Sequence, residues 1–394
     1  MSTKKMVYLH IGTHKTGTSA IFQFLTKNRN KLSTNHDCCF FEPSPWPLKM
    51  SKNKLKFSVL TKGFGQLKQI EPSKIVITHE NYSWLNDAKD WTKIKKEIDK
   101  NDCESKVVLY LRRQDSLAVS QKQEGTKWID NSLAYGHDLE PLPSYSSLTN
   151  EARLYLDYLT RYRTLVSVFG KDNVIVRVFE KDKLLNKDIV TDFCSVIGIK
   201  DLSGFSLPGR VNESISAICQ IFLHKTRKYF PEHSLAKRIL TQTAVRQDKG
   251  KDKHLPSKQV AKDFYSNYAE SNVTLSKEVF GVDKDLFADK WDMYPDSIVR
   301  EDISVDELSK VYANVITDIS EELEMWRNKF KSQDKGADES LLDDLRKLAI
   351  SFEKQGDYNN ALRTMKIALK VRPDGPFIKR KIEEYKGNLN EKDI

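Results

Sequence analysis

Near the N-terminus, an apolar run leads into a loop that combines two glycines, a lysine and several hydroxyl residues. Residues 7–20 read VYLHIGTHKTGTSA, with His14, Lys15 and Thr16 between Gly12 and Gly17. A strand, a glycine-rich loop and a helix in this order surround an anion with backbone N–H groups and the helix N-terminus. We therefore expect this loop to bind a phosphate-like group, with the lysine charge beside it.

The position of the lysine separates this loop from the triphosphate-binding loop of nucleotide kinases and GTPases. In that motif, GxxxxGK(S/T), the lysine directly follows the second glycine. Here Thr18 follows Gly17, and Lys15 lies inside the loop. We expect Thr18 and Ser19 to cap the helix that follows and to offer hydroxyl donors to the anion. The sequence thus predicts a phosphate-binding loop of a different kind.

A second segment, KVVLYLRRQDSLAVSQ, carries a candidate phosphate ligand at the end of a strand. Arg112 ends the apolar run and Ser120 follows eight residues later. Arginine at a strand end can bind a phosphate through two parallel hydrogen bonds, and a serine two turns into the next helix can reach the same group. Arg113 is the alternative arginine.

A third segment, KIVITHENYSWL, places candidate proton acceptors after another strand. The neutral imidazole of His79 can take a proton from a hydroxyl group near pH 7. Glu80 is the alternative base, and a purely structural role for His79 at the strand end stays open. His10 and His14 are further candidates to line this site.

These three segments together resemble the motifs of sulfotransferases that use 3′-phosphoadenosine 5′-phosphosulfate (PAPS). THKTGTS resembles their 5′-phosphosulfate loop, which reads roughly PK(S/T)GTT, with the lysine where Lys15 stands. The Arg112–Ser120 spacing resembles their 3′-phosphate motif, and THE resembles the context of their catalytic histidine. Looser matches to bacterial, carbohydrate-directed members extend the resemblance over residues 6–290. Ala20 departs from it, because the cytosolic enzymes place an adenine-stacking tryptophan there, and their late RKG motif is not evident.

The resemblance implies transfer of a sulfuryl group from PAPS to a hydroxyl or amine of an acceptor, without a metal. The implied acceptor is a sugar of a bacterial polysaccharide or glycolipid. Lys15 would neutralise charge on the bridging oxygen, and His79 or Glu80 would be the base. The implied PAPS-binding residues are His14, Lys15, Thr16, Gly17, Thr18, Ser19, Arg112, Ser120, Phe179 near adenine, and Arg210, with Asn212 as an alternative to Arg210 at the 3′-phosphate.

Two other function classes remain open from the residues alone. A kinase-like nucleotide-binding protein would share the glycine loop, although the displaced lysine argues against it. A non-catalytic scaffold could combine a nucleotide-binding fold with the helical C-terminus described below. Binding and turnover distinguish these classes.

Alternating strands and amphipathic helices predict an α/β fold for residues 1–330. Apolar runs at 6–11, 74–78, 106–111 and 173–179 read as buried strands with helical patterns between them, which indicates a parallel sheet covered by helices on both faces. The resemblance adds that this sheet belongs to a P-loop-like three-layer fold. Residues 263–330 are predicted to be mainly helical.

The C-terminal part has its own pattern. The polar stretch 331–340, KSQDKGADES, is interpreted as a linker. Residues 341–394 fit one helix–turn–helix unit of the 34-residue tetratricopeptide type, followed by a helix at 377–385. Because one such unit cannot bury a core alone, we expect it to dock on the main domain or on a protein partner. Its predicted packing residues are Leu345, Leu348, Ala349 and Phe352, then Ala361, Met365 and Ala368 after a turn at Gly356.

Composition and net charge limit the ligand classes and the cellular compartment that the sequence favours. The chain has 394 residues, 39% of them hydrophobic, and a formal net charge of +10. This charge favours anionic ligands or a solvated lysine-rich surface, and without an arginine cluster it does not predict specific nucleic-acid binding. Five cysteines without CxxC spacing favour a reducing compartment. With neither a signal-peptide pattern nor about 18–20 consecutive apolar residues, we expect a cytoplasmic protein.

Overall fold

The computed structural model describes residues 4–44, 47–50, 57–127, 135, 139–209, 215–227, 229–230, 235–248, 252–297 and 304–390. The chain divides into two units, Met1–Ala313 and Asn314–Ile394. Each unit has a hydrophobic core of its own, and each is described separately below.

A five-stranded parallel sheet forms the centre of the first unit. Its strands stand in the order β2-β5-β1-β6-β7. A separate antiparallel pair is formed by β3 and β4. The parallel sheet confirms the predicted α/β class, and the four predicted strands all exist within a few residues of their predicted ends. The strands are β1 (Lys5–His10), β2 (Cys38–Phe40), β3 (Leu48–Met50), β4 (Phe57–Val59), β5 (Lys74–Thr78), β6 (Cys103–Leu111) and β7 (Val174–Val178).

Ten α-helices of the described residues connect and cover these strands. They are α1 (Thr18–Lys27), α2 (Arg29–His36), α3 (Ala88–Lys100), α4 (Gln114–Lys127), α5 (Asn150–Leu156), α6 (Tyr158–Phe169), α7 (Ile189–Val196), α8 (Ala217–Arg227), α9 (Leu235–Gln247) and α10 (Lys258–Phe280). A short 3₁₀ helix, Glu80–Trp84, follows β5. Residues 281–297 contain no helix, so the prediction of a mainly helical 263–330 is wrong for that stretch.

The alternation of side chains along the strands builds a core on each face of the sheet. In β6, Val107 and Leu109 join one core, while Val108 and Tyr110 join the other. Helices α3, α6 and α10 cover the first face, and α1, α2 and α7 cover the second. Because successive side chains of a strand point to opposite faces, near-continuous apolar strands require helices on both sides. The predicted two-sided cover is confirmed.

The C-terminal helices are α11 (Val305–Lys354), α12 (Tyr358–Val371) and α13 (Pro376–Asn390). The expected linker at 331–340 lies inside α11, so the prediction that the helical pattern breaks there is wrong. The stretch contains no proline and several good helix formers, and its polar composition is also that of a solvent-facing helix. The division between the two units falls at 313–314, within α11.

The core of the second unit is formed by the C-terminal part of α11 together with α12 and α13. Its buried members are Leu342, Ala349, Ala361, Met365, Ala368, Ile378, Ile382 and Tyr385. Leu348 is 48% exposed, so its predicted place in the packing face is wrong. The Glu353 carboxylate connects α11 to α13 by accepting hydrogen bonds from Tyr385 Oη (2.6 Å) and Lys381 Nζ (2.8 Å).

No helix among the described residues combines the length and the apolar character needed to cross a membrane.

Candidate functional site

Four parallel strands end at one edge of the sheet, and the segments after them carry the predicted site residues. The backbone pairing continues one residue past each strand: Ile11 N donates to Val108 O at 3.0 Å, and His79 N donates to His10 O at 3.1 Å. From β1, the chain first builds the β5 side of the sheet and then the β6 side. Ligands of open α/β sheets bind at the carboxyl edge where the strand order reverses in this way. The end of β1 is that position.

The glycine loop after β1 is fastened to β6. Thr13 N donates to Tyr110 O at 2.8 Å, and Tyr110 N donates to Gly12 O at 2.7 Å. Inside the loop, the Thr16 hydroxyl donates to Thr13 O at 2.6 Å. Gly12 has a φ of +87°, and a Cβ there would lie 3.4 Å from Glu80 Cα. The loop is therefore held between β6 on one side and the segment after β5 on the other.

The backbone of residues 15–19 presents a row of unused donors. Among the described residues, none accepts a hydrogen bond from the N–H groups of residues 15–19. The Thr18 hydroxyl oxygen is buried, and it too has no hydrogen-bond partner in the described part of the chain. Lys15 and Gly17 both have positive φ angles, which makes successive N–H groups converge. Five unused donors at and just before the N-terminus of α1 are an arrangement suited to binding an anion.

The predicted capping of α1 by Thr18 and Ser19 is wrong. The N-cap residue is Gly17, and no side chain makes a capping hydrogen bond. Thr18 and Ser19 are already the first two residues of the helix, and Ser19 is exposed. Because the N-cap is a glycine in the left-handed conformation, the first N–H groups of α1 keep their hydrogen-bonding capacity.

Two cationic side chains, Lys15 and Arg112, lie at the glycine loop. Lys15 Nζ lies 3.2 Å from Glu124 Oε2, and both side chains are about three-quarters buried. The carbonyl oxygen of Lys15 accepts a hydrogen bond from Arg112 Nη1 at 3.1 Å. Arg112 Nε in turn donates to Ser116 Oγ at 2.9 Å. The loop therefore has two positive charges beside it, that of its own Lys15 and that of Arg112, which directly follows β6.

The adjacent arginine is engaged elsewhere. Arg113 binds the Asp115 carboxylate with two nitrogens, at 2.8 and 3.0 Å, and donates to the carbonyl oxygens of Ala288 and Lys290. Its guanidinium carbon also lies 3.9 Å from the centroid of the Trp291 ring. Of the two candidate arginines, Arg112 is the one that contacts the loop.

Helix α4 faces the loop with a polar stripe of residues four positions apart. Ser116 binds Arg112, and Glu124 binds Lys15. Ser120 lies midway between them on the same face, since residues four apart in a helix are neighbours. It is half-buried, and its hydroxyl has no partner among the described residues. Sequence reasoning missed Ser116 and Glu124, although their spacing from Ser120 was a usable signal.

His79 caps the 3₁₀ helix that begins at Glu80. Its Nδ1 accepts a hydrogen bond from Asn81 N at 3.1 Å. In a neutral imidazole this bond assigns the proton to Nε2, so the basic lone pair is the one that Asn81 occupies. Burial lowers the pKa of His79, and the charge of Glu80 opposes this shift. Glu80 is half-buried and lies against Gly12.

His14 joins the loop to neighbouring segments through hydrogen bonds of its backbone and its ring. The backbone N–H of His14 donates to Tyr155 Oη at 2.9 Å, and the same oxygen lies 2.9 Å from the ring atom Nδ1 of His14. Its Nε2 lies 3.3 Å from Asn81 Oδ1. These contacts fit a neutral ring that accepts at Nδ1 and donates at Nε2, and burial lowers the pKa of His14 accordingly. His14 therefore connects the loop to α5 and to the segment after β5.

The other predicted residues lie at varying distances from this centre. His10 is fully buried between Tyr110 and Phe193, with Nδ1 2.6 Å from Thr78 Oγ1, so the prediction that it lines the site is wrong. Phe179 directly follows β7 at the same edge of the sheet and is half-buried. Arg210 and Asn212 lie outside the described residues.

No family model matches the chain, and no curated protein matches it.

Proposed function

We propose that the protein is a PAPS-dependent sulfotransferase with a P-loop-like core. The observation that carries this proposal is the row of five unused N–H donors at residues 15–19, beside Lys15 and Arg112. A phosphosulfate bears its charge on oxygens that such donors bind, and the loop sequence resembles that of this enzyme class. The displaced lysine and the neighbouring Arg112 favour a 3′-phosphorylated adenine nucleotide over a magnesium–triphosphate complex.

Each part of the site has a task in this proposal. The loop N–H groups and the Thr18 hydroxyl bind the 5′-phosphosulfate, whereas the Thr16 hydroxyl shapes the loop by its bond to Thr13. Arg112 has five N–H donors, of which the described contacts occupy two. The remaining donors, with Ser120, are available for the 3′-phosphate.

The chemistry is an in-line displacement at sulfur. The acceptor oxygen forms a bond to sulfur while the bond from sulfur to the bridging oxygen breaks. The electron pair of that bond leaves with the phosphate, where Lys15 neutralises the growing charge, and the acceptor proton moves to a base. The protein contributes mainly position and charge, as in phosphoryl transfer.

We assign the base to Glu80, with His79 as the alternative. Glu80 lies against the loop at Gly12, whereas Glu124 of α4 lies at Lys15. The lone pair of His79 already accepts from Asn81, so His79 becomes a base only after that hydrogen bond breaks. The acceptor in this proposal is a sugar hydroxyl of a bacterial polysaccharide or glycolipid. The tetratricopeptide-like C-terminal helices would bind a protein partner.

The deciding experiment is calorimetric titration with adenosine 3′,5′-bisphosphate, ADP and ATP, with and without magnesium. We expect magnesium-independent binding that prefers the bisphosphate. Preference for magnesium–ATP would indicate a kinase-like protein, and no binding of any nucleotide would favour a scaffold.

Lys15→Met is the companion variant for turnover. We expect release of adenosine 3′,5′-bisphosphate from PAPS to slow by roughly 10²–10³-fold, as when one preorganised charge-stabilising group is removed. The fold should persist, because Tyr110 and Arg112 hold the loop backbone independently of the Lys15 side chain. Full activity of this variant would contradict the proposal.

A further inference from the structure

The Lys15–Glu124 ion pair lies within the candidate anion site. Its two charged atoms are 3.2 Å apart, and the side chains are 23% and 27% exposed. The pair is not needed to fix the loop on the protein. Arg112 already holds the Lys15 carbonyl, and Tyr110 holds the backbone at Gly12 and Thr13.

This carboxylate has an electrostatic consequence for any anion that enters the loop. The ligand must place its own negative charge next to Lys15, where Glu124 now lies. At close range in a partly buried site, like charges repel strongly, and salt screens this repulsion only in part. Binding therefore requires Glu124 to move away from Lys15, at the same free-energy cost for every ligand of this subsite.

We propose that Glu124 is an exchangeable counter-ion of Lys15 that sets an affinity threshold for anions entering the loop. It neutralises the lysine before binding and is displaced by the ligand. A nucleotide with a second anchor at Arg112 and Ser120 overcomes the cost of displacement. A small inorganic anion, which lacks that anchor, does not. Glu124 thereby lowers the affinity for every anion by the same factor, so free phosphate and sulfate, which lack the second anchor, bind too weakly to occupy the loop.

The proposal rests on the anion-binding part of the proposed function, and its test does not depend on the identity of the nucleotide. Inorganic pyrophosphate is titrated into the full-length protein and into Glu124→Gln. We expect the variant to bind pyrophosphate roughly tenfold more tightly, which corresponds to about 1.4 kcal/mol. The gain should shrink at high ionic strength, because it originates in charge repulsion.

The matched control is Glu278→Gln, which removes the carboxylate of the exposed Arg163–Glu278 ion pair between α6 and α10. It should leave pyrophosphate affinity unchanged. Equal or weaker binding by Glu124→Gln would mean that Glu124 orients Lys15, and would overturn the proposal. So would the absence of pyrophosphate binding by every variant.

Glu124→Ala serves as the second variant if the glutamine variant does not fold. Failure of both to fold would identify the carboxylate as a structural group and would also overturn the proposal. Tighter pyrophosphate binding without any preference for adenosine 3′,5′-bisphosphate would leave this inference standing while the sulfotransferase proposal fails.

Discussion

At the scale of single residues, neighbours in sequence have separate tasks at the carboxyl edge of the sheet. Arg112 binds the glycine loop, while Arg113 is enclosed by Asp115, two carbonyl groups and Trp291. The sequence pattern allowed either arginine. The partners that distinguish them come from residues 288–291, more than 170 positions away along the chain, and no local spacing encodes that contact.

The pair His79 and Glu80 gives a prediction with a built-in control. His79→Asn keeps a side-chain acceptor at the N-cap, because asparagine is among the best N-cap residues. If His79 only caps the 3₁₀ helix, we expect this variant to keep most of the PAPS-dependent activity, while Glu80→Gln loses it. Steady-state kcat/KM of both variants measures the difference.

The opposite result would assign the base to His79. In that case the pH profile of the wild type carries a second signature. Because burial lowers the pKa of His79 below its usual value, its neutral form persists below pH 6.5. The activity would then begin to fall at a lower pH than an ordinary histidine would give.

His10 predicts how stability depends on pH. Burial lowers the pKa of His10 to about 3 in the folded protein, against about 6.5 in an unfolded chain. The unfolded state therefore binds the extra proton first, and stability falls as pH drops from about 6.5 toward 3, by up to about 1.4 kcal/mol per pH unit. Urea unfolding at pH 7 and pH 5 should show a shallower decline for His10→Phe than for the wild type.

The variant should keep part of the decline, because burial also lowers the pKa values of His14 and His79. Identical declines in the variant and the wild type would contradict the buried, neutral state of His10. The phenylalanine fits the site chemically, since His10 packs against Tyr110 and Phe193.

At the scale of elements, the conformation of the loop depends on glycine at the start of α1. Gly17 has a φ of +83°, and a Cβ there would lie 2.9 Å from Ile189 Cγ1 of α7. Gly281, which follows α10, has a similar φ of +71° with no atom within 4 Å of its virtual Cβ. The two positions share the backbone penalty and differ in the steric clash.

We expect Gly17→Ala to destabilise the protein by roughly 2–4 kcal/mol, and Gly281→Ala by only about 1 kcal/mol, because overpacking adds to the backbone term. Chemical denaturation measures both. Combining Gly17→Ala with Ile189→Ala should cost less than the sum of the single changes. Strict additivity would mean that the contact with α7 does not determine the cost.

The sequence predicts most strands of the parallel sheet, but it does not predict the short strands or the helix across 331–340. Continuous apolar runs identified four of the five parallel strands, because only strands buried on both faces have that pattern. The three-residue strands β2, β3 and β4 are too short to show a period. The position of His10 was predictable from strand alternation, since Tyr8 and His10 share the face covered by α1 and α7. The polar stretch 331–340 is misassigned as a linker, because its composition is compatible with either a loop or a helix.

At the scale of the whole molecule, the chain has two units with separate cores, which predicts separable stability. Ala361 is fully buried in the core of the second unit. Ala361→Asp buries an unpaired carboxylate there, so we expect loss of hydrogen-exchange protection in α12 and α13. Binding of adenosine 3′,5′-bisphosphate, which the first unit provides in our proposal, should remain.

Asn359→Asp is the control on the same helix, since Asn359 is exposed. It should leave both readouts unchanged. Loss of nucleotide binding together with the protection of α12 and α13 would show that the two units are energetically coupled.

The attachment of the loop to β6 also bears on how the protein folds. The hydrogen bonds that join Thr13 to Tyr110, and Arg112 to Lys15, each close a chain separation of 97 residues. Contacts this distant in sequence carry a large loop-closure entropy and form slowly compared with local helices. We expect the loop to reach its folded conformation only after β1 and β6 have paired, because Thr13 and Lys15 are bound to Tyr110 and Arg112. In refolding experiments, recovery of anion binding should therefore lag behind the recovery of helical circular dichroism and coincide with completion of the sheet.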